Sequence, residues 1–377
     1  MHLMVDGIVY GRQAHGGINT YFNKVMTYLS NKPDVWVDVI VPKRALGAIP
    51  NGRIAHLPAI KLKFATGISW RLDQWLTKSV NKLFMTGRAW TRRQCVYHST
   101  YFTTIYPAVP QVATVYDMNH ERFAGQFDED WSRWLRKTYR SYVECADKII
   151  AISNSTKADI VRFYGIPEDR IEVTHLATDP REFYFDDDLG RCEQFVTHES
   201  VSRPFVLFVG GRMYYKNFSR LLTAFGASQF SKRGSLLVVG PAWAETERAE
   251  IESLGLASKV TLIENPPVRV LRVLYSRAAA FVYPSLFEGF GIPLLEAMAC
   301  KTAVAAADTE VFREVAGPAA QYFDPTSVEG MANAIDEASA EPRRQALIEA
   351  GESRVAQFSW ERCAEATYRV YREVLGT

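Results

Sequence analysis

Cysteine is scarce: Cys95, Cys145, Cys192, Cys300 and Cys363 are the five in 377 residues, odd in number, scattered, and nowhere in a C-x-x-C spacing. We therefore expect no disulfide framework and no structural zinc, and a reducing compartment. No run of eighteen apolar residues occurs, so no segment reads as a membrane-spanning helix. The opening MHLMVDGIVYGRQ lacks the basic and apolar regions of a secretory leader and reads as a first strand, which makes the cytoplasm the expected location. An excess of one charge is missing too. Lys and Arg number 44 against 42 Asp and Glu, a formal +2, so nucleic acid has no electrostatic footprint here. Low-complexity tracts and internal repeats are absent, which excludes solenoids and linker-like chains.

What is there is the balance of a folded protein with room for two or three cores, 47% hydrophobic and 23% charged. The small net charge hides an asymmetry: residues 1–180 sum to +7 and the remainder to −5, as for two halves with different partners. Short apolar runs alternate with helical patterns. In the first half strands are expected at 2–8, 35–41, 95–99, 111–117, 148–153 and 171–176. The second half repeats the style at 205–210, 235–240, 260–264, 280–285 and 302–307. Such alternation predicts an α/β class with two doubly wound parallel sheets, and ligands at the carboxyl ends of their strands in a cleft where the domains face each other. Residues 181–204, with the acidic triplet Asp186, Asp187 and Asp188 and no sustained period, read as the connection. We place domains at 1–185 and 186–358, with a final helix in 359–377.

Three loops have the residue types that bind oxygen-rich ligands. YPSLFEGFGIPLLEAMAC, residues 283–300, follows a strand and enters an apolar helix. Glu288 stands on its loop and Glu296 one to two turns into the helix, where both can face one ligand; a Gly-Phe-Gly turn lets backbone approach closely, and the helix start offers unpaired N–H groups. The competing reading is a plain connection with solvated glutamates. FVGGRMYYKNF, residues 208–218, sets Arg212 and Lys216 after a diglycine and before a helix, a fork and a point charge suited to a diphosphate; it matches neither a phosphate-binding Walker loop nor a dinucleotide fingerprint. Solvated basic residues are its competing reading. AHGGINTYF, residues 14–22, opens a helix with Gly16 and Gly17 after the first strand, a pair that serves a ligand or simply makes a turn.

In combination these motifs resemble the retaining glycosyltransferases of family four, which have the GT-B fold: two Rossmann-like domains facing a central cleft. The resemblance also takes in TVYDM at 114–118, ISNSTKADIV at 152–161 and FSWERCAEATYRVY at 358–369, and so runs over nearly the full chain. It implies that Arg212 and Lys216 hold the diphosphate of a nucleotide sugar and that Glu288 supports the transferred sugar. Gly16, Gly17, Gly211, Phe290, Gly291, Ile292 and Glu296 complete the donor site, Glu296 accepting from ribose hydroxyls. It implies no metal and no cofactor beyond the substrate itself, GDP-mannose or a UDP-hexose, with the lean toward GDP-mannose. Tyr116, Asp117, His120 and His98 are the acceptor-side candidates. The family often has His-Asp where Tyr116-Asp117 stands, and His120 and Glu121 are expected to take over the lost histidine's contacts, since a phenol is a poor base at neutral pH. A lone strand-end histidine such as His98 also has a plainly structural reading. Met298 and Cys300 read as core.

Residues 61–93 hold the basic excess, eight Lys and Arg against Asp73 alone, with Ile68, Leu72, Trp75, Leu76, Val80, Leu83 and Phe84 at helical spacing. This is either a membrane-surface contact on the inner face of the cytoplasmic membrane, presenting a polyprenyl-diphosphate-linked glycan, or an amphipathic helix packed on its own domain. The function expected is hexosyl transfer to a glycan acceptor in surface polysaccharide synthesis. The rivals are a nucleotide-sugar epimerase or a phosphorylase on the same architecture, although no pyridoxal lysine is identifiable, or a non-catalytic lipid- or glycan-binding partner.

Overall fold

The computed structural model describes residues 1–11, 16–41, 49, 53–56, 82–87, 89–91, 94–105, 109–126, 129–188, 190 and 204–377. It divides into two compact units: Met1–Leu176 with Trp360–Thr377, and Ala177–Ser359.

The first unit is built on seven parallel strands: β1 (His2–Asp6), β2 (Trp36–Val41), β3 (Arg53–His56), β4 (Cys95–Ser99), β5 (Gln111–Val115), β6 (Lys148–Ala151) and β7 (Ile171–Val173), in the spatial order β3-β2-β1-β4-β5-β6-β7. Val5 pairs with Val39 on one side and His98 on the other, so β1 is central and needs apolar residues on both faces. Helices α1 (Gly17–Ser30), α2 (Glu129–Cys145) and α3 (Asn154–Tyr164) flank the sheet. α1 buries Tyr21, Phe22, Val25, Met26 and Leu29, the one-sided stripe that a 3.6-residue period predicts. The final helix, Trp360–Leu375, packs on this unit. Tyr371 meets His98 at 2.5 Å, Tyr21 meets Thr367 at 3.2 Å, and Tyr368 donates to Asp34 at 2.6 Å.

The second unit has six parallel strands, β8 (Phe205–Val209), β9 (Ser235–Gly240), β10 (Val260–Glu264), β11 (Ala280–Tyr283), β12 (Val304–Ala307) and β13 (Gln321–Phe323), ordered β10-β9-β8-β11-β12-β13. Its helices are α4 (Phe218–Ala227), α5 (Glu245–Ser253), α6 (Val268–Arg277), α7 (Ile292–Ala299), α8 (Glu310–Ala316), α9 (Val328–Ala338) and α10 (Arg343–Val355). The order reverses between β8 and β11, the switch point where open α/β sheets bind ligands. Met298 and Cys300 are buried, and a Cβ on Gly351 of α10 would come within 3.1 Å of Met298.

Several expectations shift. β3 and β13 were not anticipated; each is four residues or fewer at a sheet edge, too short to show a period. β5, β6, β7 and β11 stop two or three residues early because the residues beyond leave the ladder for other work. Ser153 is an example: it caps α3 by accepting from the Thr156 N–H at 3.0 Å. The unit boundary falls after Leu176 rather than at 185/186. The reason is local bonding: Arg272 donates to Asp186 at 2.9 Å and to the Glu182 carbonyl at 3.0 Å, which ties 182–186 to the second unit. Most of the basic segment 61–93 lies outside the described residues. Within its described part, Phe84, Met85 and Ala89 pack against the first unit's core, whereas Leu83 points out at 65% exposure, off the face assigned to it. No helix among the described residues is long and apolar enough to cross a membrane.

Candidate functional site

The loops after β8 and β11 are sequence-distant neighbours because their strands are paired, Ala280 with Val206 and Phe281 with Leu207. Past Gly210 and Gly211 the first loop makes a tight turn, Tyr214–Lys216, and ends at Asn217, whose left-handed φ of 60° starts α4. Asn217 is buried, and its amide donates to the carbonyls of Pro284 at 3.1 Å and Pro325 at 2.8 Å. Leu286 N–H donates to the Tyr215 carbonyl at 2.7 Å. These bonds hold Lys216 Nζ 2.6 Å from Glu288 Oε1, with the two side chains only 15% and 13% exposed. Burial, and then the adjacent Glu288 carboxylate, raise the Tyr283 phenol well above its ordinary value, so it stays a neutral donor beside that carboxylate.

Arg212 does not stand beside Lys216's partner. Its Nε and Nη2 fork the Glu247 carboxylate at 2.7 and 3.0 Å, and Nη2 also donates to the carbonyls of Pro241 at 2.9 Å and Ala242 at 2.8 Å. Its guanidinium carbon lies 4.5 Å from the centroid of the Trp243 ring. Burial pushes the Glu247 carboxyl up, yet the Arg212 hydrogen bonds, the Ala244 N–H and the Arg212 charge together outweigh it and leave it below the usual range. One guanidinium nitrogen, Nη1, is buried without a hydrogen-bond partner among the described residues.

The helix of the third motif, α7, is entered through Gly291 at φ 101°, a conformation that L side chains avoid. A Cβ there would lie 3.1 Å from Phe312 and 3.2 Å from Leu294. Gly291→Ala is therefore expected to lower stability by about 1–3 kcal/mol and the melting temperature with it; a melting curve superimposable on wild type would refute that. Phe290 is buried against Phe358 and Ile292 is half-buried. Glu296 accepts from Tyr275 Oη at 3.0 Å, and burial pushes its carboxyl up to about 7, the Tyr275 bond opposing and Glu182 adding to the rise. Ser285 Oγ is buried without a partner among the described residues.

In the first unit Gly16 and Gly17 begin α1, and a Cβ at Gly17 would meet nothing within 4 Å, so local packing does not require a glycine there. Tyr116 stands edge-on to Tyr21 at 5.8 Å with its hydroxyl buried and, among the described residues, unpartnered, while Asp117 accepts from the Asn119 N–H at 3.1 Å. Two acceptor-side expectations are corrected. His98 is fully buried, its Nδ1 against Tyr371 Oη at 2.5 Å and its Nε2 against Thr114 Oγ1 at 2.8 Å, and burial drives its pKa down to about 3. His120 is buried with Nε2 at 2.9 Å from Tyr164 Oη, and burial, then Arg136, lower it to about 4. Both are neutral core histidines, with both ring nitrogens of His98 and Nε2 of His120 engaged inside the unit. Asn217, Trp243, Glu247, Tyr275 and Tyr283 were missed. Asn217 and Tyr283 stand inside the quoted motifs without being singled out, and Glu247 is a glutamate in the first turn of a helix whose carboxylate accepts from the Ala244 N–H at 2.8 Å.

The model of "Glycosyl transferases group 1" matches residues 193–354, and that of "Glycosyltransferase Family 4" matches 15–182. The chain is 26% identical over 311 residues to O-antigen chain mannosyltransferase B of Escherichia coli, covering 80% of this chain and 81% of that one. It is 28% identical to an alpha-maltose-1-phosphate synthase of Mycolicibacterium smegmatis, covering 97% of each. Among solved structures, sucrose-phosphate synthase from Thermosynechococcus elongatus superimposes with a TM-score of 0.77 at 21% identity, over 100% of this chain and 99% of that one. HepE from Anabaena, solved with UDP and glucose, gives 0.72 at 14% identity over 99% and 100%.

Proposed function

The chain belongs to the glycosyl transferases group 1, with a Glycosyltransferase Family 4 half before it and the GT-B fold, and from that premise we propose the reaction it performs. It is a glycosyltransferase of glycan biosynthesis. It moves a hexosyl group, of mannose or glucose type, from a nucleotide-diphosphate sugar to a hydroxyl of a glycan acceptor, with the anomeric configuration retained and without a metal ion. The observation that carries this reading is the Lys216–Glu288 pair across the β8/β11 switch. Lys216 is a compact charge on an anchored loop, where it neutralises the diphosphate as the glycosidic C–O bond breaks. As Lys216 turns to phosphate, Glu288 is released to accept from sugar hydroxyls and to support positive charge at the anomeric carbon. The N–H groups of Phe290 and Gly291 and the start of α7 add donors for the same oxygens. On the first unit, Tyr116 and Asp117 remain as acceptor-side groups, the former as a neutral phenol that donates but does not take a proton.

The donor is GDP-mannose or a UDP-hexose, supported respectively by the name of the Escherichia coli relative and by the UDP complex of HepE. The acceptor is a polyprenyl-diphosphate-linked glycan met at the inner face of the cytoplasmic membrane. A second reading, favoured by the relative named for maltose 1-phosphate, makes the product a soluble sugar phosphate. The test is nucleotide release in chelator with each donor, with and without each acceptor class, and the anomeric signal of the product by NMR. Release only with acceptor and with retention is expected. Acceptor-independent turnover of the sugar, a divalent requirement or an inverted product would overturn the reading.

Glu296 makes donor binding pH-dependent. With its free-state pKa near 7 and ribose hydroxyls donating to the ionised form, binding lowers that pKa and releases a proton. Affinity is then fully present above about pH 7 and is lost as pH falls below it. Titration of UDP and GDP from about pH 5.5 to 8 checks this, and Glu296→Gln is expected to flatten the profile. An unchanged slope in the variant would remove Glu296 from that role.

A further inference from the structure

Arg212 is heavily braced among the second unit's ligand-side loops, and the residues that brace it, Phe218 apart, lie outside every motif discussed so far. Its side chain is 3% exposed. Glu247 takes the Nε–Nη2 edge, the Pro241 and Ala242 carbonyls take more of Nη2, and the Trp243 and Phe218 rings lie 4.5 and 5.7 Å from the guanidinium carbon. Every donor nitrogen but Nη1 is engaged. Nη1 lies beside the carboxyl end of β9, 3.0 Å from where a Cβ on Gly240 would stand; that Cβ would also clash with the Gly210 carbonyl. A buried, charged donor without an acceptor costs free energy, so the fold keeps it at a cost that a ligand oxygen would offset.

We propose that Glu247 is a positioning residue for the transferase: it grips one edge of the Arg212 guanidinium so that Nη1 is presented to the diphosphate of the nucleotide sugar. This rests on the reading of Arg212 as a diphosphate ligand. Glu247 is suited to the task because its own place is fixed twice. It sits in the first turn of α5, and its Oε2 also accepts from the Ala244 N–H at 2.8 Å, so the carboxylate is clamped to the helix start before it clamps the arginine. The alternative, a competitor that keeps Arg212 from phosphate, predicts the opposite sign. Removing a brace weakens nucleotide binding, whereas removing a competitor tightens it.

The experiment is calorimetric titration of UDP and GDP into wild type, Glu247→Gln, Glu247→Ala, Arg212→Ala and the Glu247→Ala/Arg212→Ala double variant, with kcat and KM for each. Gln keeps an acceptor for the Ala244 N–H and so keeps the helix start, but offers the guanidinium one acceptor and no charge. Each Glu247 variant is expected to weaken binding by about tenfold, the scale of one misplaced charge-assisted hydrogen bond, and to do so by raising KM together with lowering kcat. In the Arg212→Ala background the Glu247 substitution is expected to add nothing further, the mark of action through Arg212. Wild-type or tighter binding by the Glu247 variants, or a Glu247 effect undiminished without Arg212, would overturn the proposal while leaving Arg212 as a ligand. Wild-type binding by Arg212→Ala would instead overturn the reading on which the proposal stands.

Discussion

Lys216→Ala is expected to lower kcat/KM by two to three orders of magnitude, about 2.7–4 kcal/mol of transition-state stabilisation, with most of the loss in kcat. The sign and the split follow from when the charge appears. Negative charge on the leaving diphosphate grows as the glycosidic bond breaks, so a cation fixed on the Asn217-anchored loop is worth more in the transition state than in the bound donor. Lys216→Arg should not rescue fully, because a planar fork does not fit the space beside Glu288 that an ammonium fills at 2.6 Å. Glu288→Gln should cost a comparable factor, and the double variant less than the product of the two singles, because the residues act as a pair. Steady-state rates in chelator measure this, and a melting curve separates lost chemistry from lost fold. Near-normal turnover of a folded Lys216→Ala protein would sink the assignment.

Tyr371→Ala is expected to be the most damaging single change outside the site, at about 3–5 kcal/mol for a fully buried aromatic removed to Ala. The ring sits at the joint of the final helix and the first unit's sheet, 5.6 Å from the His98 ring, and its hydroxyl is the partner of His98 Nδ1 among the described residues. Tyr371→Phe isolates that bond and should cost about 1–3 kcal/mol, since it strands a buried nitrogen that burial already keeps neutral. Because Trp360–Thr377 belongs with Met1–Leu176, amide exchange should quicken in α1 and β4 and not in β9 or β11. Uniform quickening across both units, or none, would contradict that placement.

Much of the fold was legible in the residues. Eleven strands were read from apolar runs, because parallel strands covered on both faces need continuous hydrophobicity, and FVLFV and SLLVVG announce themselves without context. β3 and β13 did not, being short edge strands whose pairing is supplied by β2 and β12. The glycine turn of the site was legible too: Gly291 stands at a helix entry with φ 101°, a conformation that favours glycine. Illegible were the partners. Nothing in VYHST says that His98 is sealed between Tyr371 and Thr114, and nothing in the loop at 208–218 says that its two cations go to different carboxylates.

The sequence by itself determined the class of the protein: two parallel α/β sheets, two glycine-loop-helix motifs in the second half, and cations and carboxylates at the strand ends where such sheets bind ligands. These are local quantities, set by hydrophobic period, glycine conformation and residue type, and they survive without knowledge of what folds against them. Only the tertiary structure decided the pairings. Strand order placed β8 beside β11 and thereby brought Lys216 to Glu288 across 72 positions, while the helix after β9 delivered Glu247 to Arg212 across 35. Burial, likewise a property of the packed chain, turned two candidate histidines into neutral core residues and lifted Glu296 to about 7. Desolvation and charge pairing depend on what surrounds a group in space, and a linear order of residues does not contain that.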